Sequence, residues 1–453
     1  MSYAAAIEDL YSLAGELQTI PGKPRRKFDL AEMRTLTEAL GHPEQKFASI
    51  LVAGTNGKGS TSATLASILA TAGYRTGLYT SPHLTRVNER IRIAGEIISD
   101  DDFAALYFKV DDCARLLVNE GKLAAHPSFF EAMTALAFLA FAEKSIEIAV
   151  LEVGMGGRLD ATNIVDPLLS VITDIALDHT EWLGPTITDI AREKAGILRQ
   201  NGTLITLPQH PEANQAIGEA AVALNVHGIN AANYMPAPNE SGNTYPLTLM
   251  GEEIIIDSPL TGAHQQRNIA LAIAAAVELS NNNSYKSEIS NSRSYNIKPI
   301  HIAQGIRNTQ WPGRLERFHN PDVLLDVAHN PAGAWALRSA LSHLSPEPKQ
   351  ITAVFGCLKD KAIAEMAQIL FPIFDEVVLT EVASPRTASL EEMQAAAQAT
   401  GAKTSTAENA AEALRQAIAA TPKDGLVVIT GSVYLIGEIR PLLKHSEPTE
   451  PAR

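Results

Sequence analysis

The residues best suited to chemistry are seven in a row, Gly54-Thr55-Asn56-Gly57-Lys58-Gly59-Ser60. They follow a short apolar run, ASILVA at 48–53, and precede a helical pattern over 61–72. A glycine-rich turn in that setting aims backbone N–H groups at phosphate oxygens, and the following helix adds its positive end. Lys58 is expected to reach the β- and γ-phosphates of a nucleotide, and Ser60 to ligate Mg²⁺. The spacing departs from the usual G-x-x-x-x-G-K-[ST]: two residues separate Gly54 from Gly57, and Gly59 stands between Lys58 and Ser60. The competing reading is a turn that merely packs, and the strand–loop–helix context speaks against it.

Three further residues lie just past expected strands: Ser81, Glu152 and His179. In open α/β sheets ligands gather at the carboxyl ends of strands. Carboxylate, imidazole and hydroxyl together make a donor set for Mg²⁺, imidazole being the less usual partner. Each also has a plainer reading: a turn residue before Pro82, a surface carboxylate, a packed or capping ring.

The elements that must position these residues alternate. Short apolar runs at 48–53, 75–80, 146–152, 169–173 and 202–207 are read as strands. Amphipathic stretches at 61–72, 128–143, 186–198 and 264–280 are read as helices. Residues 230–257 suggest a peripheral β segment, and 281–296 a polar, mobile insertion. A second alternation follows, with strands at 323–327, 351–356, 376–380 and 426–431 and helices at 332–344 and 361–371; the tail, 446–453, reads as frayed. The expected fold class is α/β: a P-loop-type doubly wound ATPase domain plus a smaller Rossmann-like C-terminal domain. The boundaries are drawn at 1–298 for the first domain, 299–311 for a linker and 312–453 for the second.

Composition restricts the partners. The 453 residues hold 37 Lys and Arg against 51 Asp and Glu, a net charge of −14. That balance excludes a broad nucleic-acid surface. Cys113 and Cys357 make neither a disulfide framework nor a metal motif, which suits a reducing cytoplasm. No apolar run has membrane-spanning length. The N-terminus lacks the basic start of a signal peptide. Nothing demands more than a monomer.

Further clusters narrow the class. They are Thr80-Ser81-Pro82-His83-Leu84, the run from Glu152 to Asn163 (EVGMGGRLDATN), Asp178-His179-Thr180-Glu181-Trp182-Leu183-Gly184, and Arg192-Glu193-Lys194-Ala195-Gly196. In the second half come Trp311-Pro312-Gly313-Arg314, Asp326-Val327-Ala328-His329-Asn330-Pro331 and Gly431-Ser432-Val433-Tyr434. With the GTNGKGS loop, in this order and over about residues 25 to 440, the chain resembles the folylpolyglutamate synthase/dihydrofolate synthase family, a branch of the Mur-type ATP-dependent amide ligases.

The resemblance implies roles. Gly57, Lys58, Gly59, Ser60, Asn268, Arg314 and Asp326 would bind ATP. Ser81, Glu152 and His179, with Ser60, would hold Mg²⁺, two ions in all. Lys194 matches a lysine that is carbamylated in the family, and Lys58, Lys194, Asp326 and His329 would be catalytic. Ser128, Phe129, Phe130 and Glu131, with Leu159, Asp160 and Ala161, would line the pocket for dihydropteroate or a reduced folate. Ser432 is a weaker candidate for a contact to L-glutamate. Phe129 and Phe130 read equally well as core, and Lys194 by itself as a solvated helix lysine. In RVNERIR, Arg86, Arg90 and Arg92 read either as a cradle for anionic substrate or as a solvated edge.

The chemistry is consistent with these residue types. A carboxylate is a poor electrophile; phosphorylation by ATP gives an acyl phosphate that an amine attacks. That needs fixed cations around two anions. The expected enzyme joins L-glutamate to dihydropteroate and extends reduced folates. The alternatives are a folylpolyglutamate synthase without dihydropteroate activity, a peptidoglycan Mur ligase, and a nucleotide-binding module without catalysis. The Mur ligase lacks room before Gly54 for its nucleotide-sugar domain of about a hundred residues. Joint retention of Lys58, Glu152, His179, Lys194 and Asp326 argues against the inert module.

Overall fold

A computed structural model describes residues 2–13, 30–237, 242–281, 294–344 and 347–443. The expected frayed tail and the core of the expected insertion, 282–293, lie outside the described residues. At the described end of that stretch the expectation of a mobile polar segment does not hold: Tyr295 is buried, its ring centroid 5.2 Å from that of Tyr74.

The first sheet has eight strands: β1 (Ala48–Ala53), β2 (Thr76–Tyr79), β3 (Ile91–Ile93), β4 (Glu96–Ile97), β5 (Ile148–Glu152), β6 (Leu169–Ile172), β7 (Thr203–Thr206) and β8 (His227–Asn230). Their order is β4-β3-β2-β5-β1-β6-β7-β8, parallel except for β3 and β4. The central strands are apolar on both faces because helices cover both. Along β1, Ile50 and Val52 enter one core with Leu65 and Ile273, while Leu51 and Ala53 enter the other with Phe138 and Leu151. In register, Val52 pairs with Glu152 and Ala53 with Ile172, which brings the ends of β1, β5 and β6 to one edge.

An antiparallel hairpin, β9 (Thr244–Leu249) and β10 (Glu252–Asp257), forms the peripheral β segment. The second sheet comprises β11 (Glu316–Phe318), β12 (Val323–Leu325), β13 (Ile351–Phe355), β14 (Glu376–Thr380), β15 (Thr404–Ala407) and β16 (Leu426–Thr430), in the order β11-β12-β16-β13-β14-β15. Only β11 is antiparallel.

The stretch expected as linker, 299–311, contains the helix Pro299–Arg307. It lies against the helix Lys58–Thr71: Ser67 Oγ donates to the Gly305 carbonyl at 2.6 Å, and a Cβ at Gly305 would strike the Ile68 backbone. Most of that stretch is therefore part of the first body, since a glycine at 305 lets the two helices touch backbone to backbone. The two bodies also meet directly. Leu84, in the loop after β2, packs into the second core, and a Cβ at Gly437 would collide with the Leu84 carbonyl. Among the described residues, no helix is long and apolar enough to cross a membrane.

Candidate active site

The phosphate loop leaves β1 and enters the helix Lys58–Thr71. Its shape requires glycine: Gly57 caps the helix at φ 89°, and Cβ atoms at Gly54 and Gly57 would strike Thr173 and Asn268. The loop is fixed from behind. Thr55 and Asn56 donate their backbone N–H groups to the Asp174 carbonyl at 2.8 and 3.1 Å, and Thr173 Oγ1 donates to the Asn56 carbonyl at 2.7 Å.

Two lysines converge on this loop. Lys58 Nζ donates to the carbonyls of Gly54 and Thr55, each at 3.0 Å, and Lys194 Nζ donates to the Gly54 carbonyl at 2.7 Å. Lys194 is 4% exposed. Burial, then the neighbouring Lys58 charge, pushes its pKa down to about 7. Burial also lowers Lys58, against the pull of Glu152 and Asp178. Ser60 is buried two residues into the helix.

Glu152 closes β5 beside them and accepts the Ser81 N–H at 3.2 Å. Burial raises its carboxyl to about 7 although Lys58 opposes the shift. The Ser81 hydroxyl receives the Arg90 guanidinium at 3.0 Å. His179 stands in the left-handed region, φ 50°, at the start of a short helix, and burial lowers it to about 4, so its ring is neutral. Among the described residues no cluster of three or more His, Cys, Asp or Glu is arranged to hold a metal; the expected set contains only two residues of those types. Its chemistry nevertheless fits a hard cation, because Glu152 is a buried carboxyl that needs positive charge to ionise at neutral pH.

Asp326 and Arg314 come from the second body. Asp326 accepts the backbone N–H groups of Leu315 at 3.1 Å and Ala328 at 2.9 Å. Burial lowers Arg314, opposed by Asp326 and Glu152. The Asn268 side chain donates to Gln265 at 2.9 Å, and its oxygen faces Gly57. Ser432 is an N-cap, accepting the Tyr434 N–H at 3.1 Å.

The expected acceptor pocket divides. Ser128 and Glu131 form a reciprocal capping box, at 3.2 and 2.8 Å, so they hold the helix Phe129–Glu143 in place. Phe130 packs beneath Gly154 and beside Tyr79. Phe129 is partly buried, stacked on Tyr11 at 5.8 Å and 24°. Asp160 caps its own turn, accepting from Thr162 N at 3.0 Å, Thr162 Oγ1 at 2.6 Å and Met155 N at 3.0 Å; burial raises it. Ala161 is buried beside it and Leu159 is half-buried.

Asp178 emerges as a hub between the bodies, with a role that sequence reasoning did not assign. Lys361 Nζ lies 2.6 Å from its Oδ1, and Asn330 Nδ2 and His329 Nε2 lie 3.1 and 3.4 Å from Oδ2. Asn330 also exchanges amide hydrogen bonds with Asn56 of the phosphate loop. The only signal was the place of Asp178 beside His179; Lys361 carried none.

The Mur ligase middle domain matches residues 52–276, and the Mur ligase glutamate ligase domain matches residues 313–433. The chain is 35% identical over 431 residues to the dihydrofolate synthase/folylpolyglutamate synthase of Bacillus subtilis, covering 92% of this chain and 95% of that one. It superposes on Mycobacterium tuberculosis folylpolyglutamate synthase complexed with ADP at a TM-score of 0.83 and 30% identity, covering 99% and 100% of the two chains. With Escherichia coli FolC in complex with DHPP and ADP the TM-score is 0.77 at 28% identity, covering 96% and 98%. The chain belongs to the dihydrofolate synthase/folylpolyglutamate synthase family of Mur ligases.

Proposed function

We propose that this protein is an ATP-dependent ligase that joins L-glutamate to dihydropteroate and adds glutamates to reduced folates. The observation that carries the reading is the convergence of Lys58 and Lys194 on the Gly54 carbonyl, beside Glu152, at the carboxyl ends of β1 and β5. A phosphate chain laid on the loop replaces that carbonyl as the partner of Lys58. The acceptor carboxylate attacks the γ-phosphorus, the bond to ADP breaks, and an acyl phosphate results. The glutamate amine then attacks the acyl carbon, phosphate leaves with the C–O electron pair, and the amine proton passes to water. Fixed cations stabilise the charge that moves in both steps.

Arg314 and Asp326 bring the second body onto the nucleotide, with Asn268 at its base. Ser81, Glu152 and His179, with Ser60, would hold Mg²⁺, which offsets the phosphate charge when bound. An amine near pKa 7 is half neutral at neutral pH and adds CO₂, which supports a carbamate on Lys194. Phe129, held against Tyr11 and Arg90, would border a flat substrate at its edge, while Phe130 packs beneath Gly154. His329 would lie at the glutamate side, next to Asp178 and Lys361.

The test is glutamate-dependent ADP release with dihydropteroate as sole acceptor, beside a tetrahydrofolate control. Turnover with both is expected. Turnover with tetrahydrofolate alone reduces the function to folylpolyglutamate synthesis, and glutamate-dependent turnover that survives Lys58→Ala overturns the ATPase site.

A further inference from the structure

Arg90 is 7% exposed and makes no ion pair among the described residues. Its guanidinium donates Nε–H to His83 Nδ1 at 2.9 Å and an Nη1–H to the Ser81 hydroxyl at 3.0 Å, and it lies 5.1 Å over the Phe129 ring. The neighbouring arginine of the same run differs: Arg86 is exposed and paired with Asp100. A buried cation left with neutral partners is costly unless an anion completes its shell. Glu152 is near enough to bias Arg90 but is not in contact with it.

The partners of Arg90 are themselves fixed. A guanidinium only donates, so His83 Nδ1 must accept. With Nδ1 accepting from Arg90, the ring carries a single proton. Its proton therefore sits on Nε2 and is donated to the Tyr11 hydroxyl oxygen, 3.2 Å away. Tyr11 belongs to the N-terminal helix Tyr3–Ser12 and stacks on Phe129. Tyr11, His83, Arg90 and Ser81 thus form one chain of hydrogen bonds. It fixes the guanidinium plane beside an aromatic wall.

We infer that Arg90 receives the carboxylate of an aromatic acid acceptor whose ring lies beside the Tyr11–Phe129 pair, and that His83 is the residue that positions it. This rests on the reading above that the acceptor is a pterin-bearing carboxylate. A guanidinium matches a carboxylate in two parallel hydrogen bonds, which sets both its position and its plane for phosphorylation.

The experiment compares equilibrium binding of dihydropteroate and of its primary carboxamide, without ATP or Mg²⁺, to the full chain. Arg90→Gln is expected to weaken binding of the acid roughly 10- to 100-fold and to leave the carboxamide within about threefold. Equal losses for acid and amide, or no loss for the acid, overturn the inference. ADP affinity and thermal unfolding report whether Arg90→Gln is folded. If it is not, His83→Ala and His83→Gln decide: the alanine should weaken only the acid, and the glutamine, whose amide oxygen can accept from Nε–H, should restore it. An alanine variant that binds the acid like the parent overturns the positioning role. A parent protein that binds neither compound, and does not turn over dihydropteroate, defeats the proposed acceptor itself; a parent that binds both, with Arg90→Gln unaffected, defeats only the role of Arg90.

Discussion

Asp178→Asn tests whether the bodies are held together by charge. Asp178 and Lys361 are 7% and 6% exposed and 2.6 Å apart. Asparagine keeps the shape but turns an N–H₂ toward donors and leaves the Lys361 ammonium buried without a counter-charge. Removing one member of such a pair costs about 3–5 kcal/mol. At 1.4 kcal/mol per tenfold, even about 3 kcal/mol shifts an open–closed equilibrium roughly 100-fold. Small-angle scattering should then report a larger radius of gyration, and the KM for glutamate should rise. Lys361→Met should do the same. The double variant buries neither charge, so its cost should fall well below the sum of the two, with a coupling of about 2–3 kcal/mol. Additive losses, or an unchanged scattering profile in Asp178→Asn, would refute the reasoning. The pH dependence has a definite sign. Burial raises the Asp178 carboxyl, but the His329 hydrogen bond and the charges of His179, Lys361 and His329 outweigh it and hold it well below the usual carboxylate range. A depressed carboxyl contributes stability above its unfolded value of about 3.9, lost only as pH falls below that. Closure should survive at pH 4.5 and fail in stronger acid.

Two further outcomes are expected. Gly437→Ala places a Cβ on the Leu84 carbonyl; an overpacking cost of about 1–3 kcal/mol should open the bodies roughly 5- to 100-fold without any change of charge, read by the same scattering measurement. An unchanged profile would mean that Leu84 yields. For Lys194, the neutral amine grows in as pH rises through about 7. Enzyme stripped of CO₂ should therefore regain turnover with bicarbonate at pH 8 and little at pH 6, with a carbamate signal in ¹³C NMR; equal turnover with and without bicarbonate at pH 8 removes the carbamate from the mechanism.

The strands that carry the site were legible because they are buried on both faces. Runs such as ASILVA and IAVLE are nearly all apolar and buried at every position; the first leads straight into Gly54 and the second ends on Glu152. Short or exposed strands escaped for the same reason. β3 is Ile-Arg-Ile, β4 is two exposed residues and β15 is Thr-Ser-Thr-Ala, none of which carries a core pattern. The helix Pro299–Arg307 was hidden by its role as a bridge: Pro299 begins it and Gly305 lets it touch a backbone, and both read as breakers in sequence. Contacts between the bodies were the least legible. Lys361 sits 183 positions from Asp178, and nothing local marks either as half of a buried pair. Ser128 and Glu131 carry a legible local signal of another kind, the S-x-x-E capping box that opens the helix Phe129–Glu143.

The electrostatics of the site point one way. Lys58, Lys194, Arg90 and Arg314 all have pKa values lowered, each with burial as the leading cause. Surface cations of the same chain, such as Arg86 and Arg415, are instead paired with carboxylates. Four desolvated cations near the ends of β1 and β5 are costly to the fold, and packing alone does not require them. On the proposed function, phosphates and carboxylates would make the arrangement favourable, because each anion would meet a charge whose desolvation was already complete at folding. Closure through Asp178 and Lys361 uses a separate, internally neutral pair, so the bodies meet without drawing on any of those four cations.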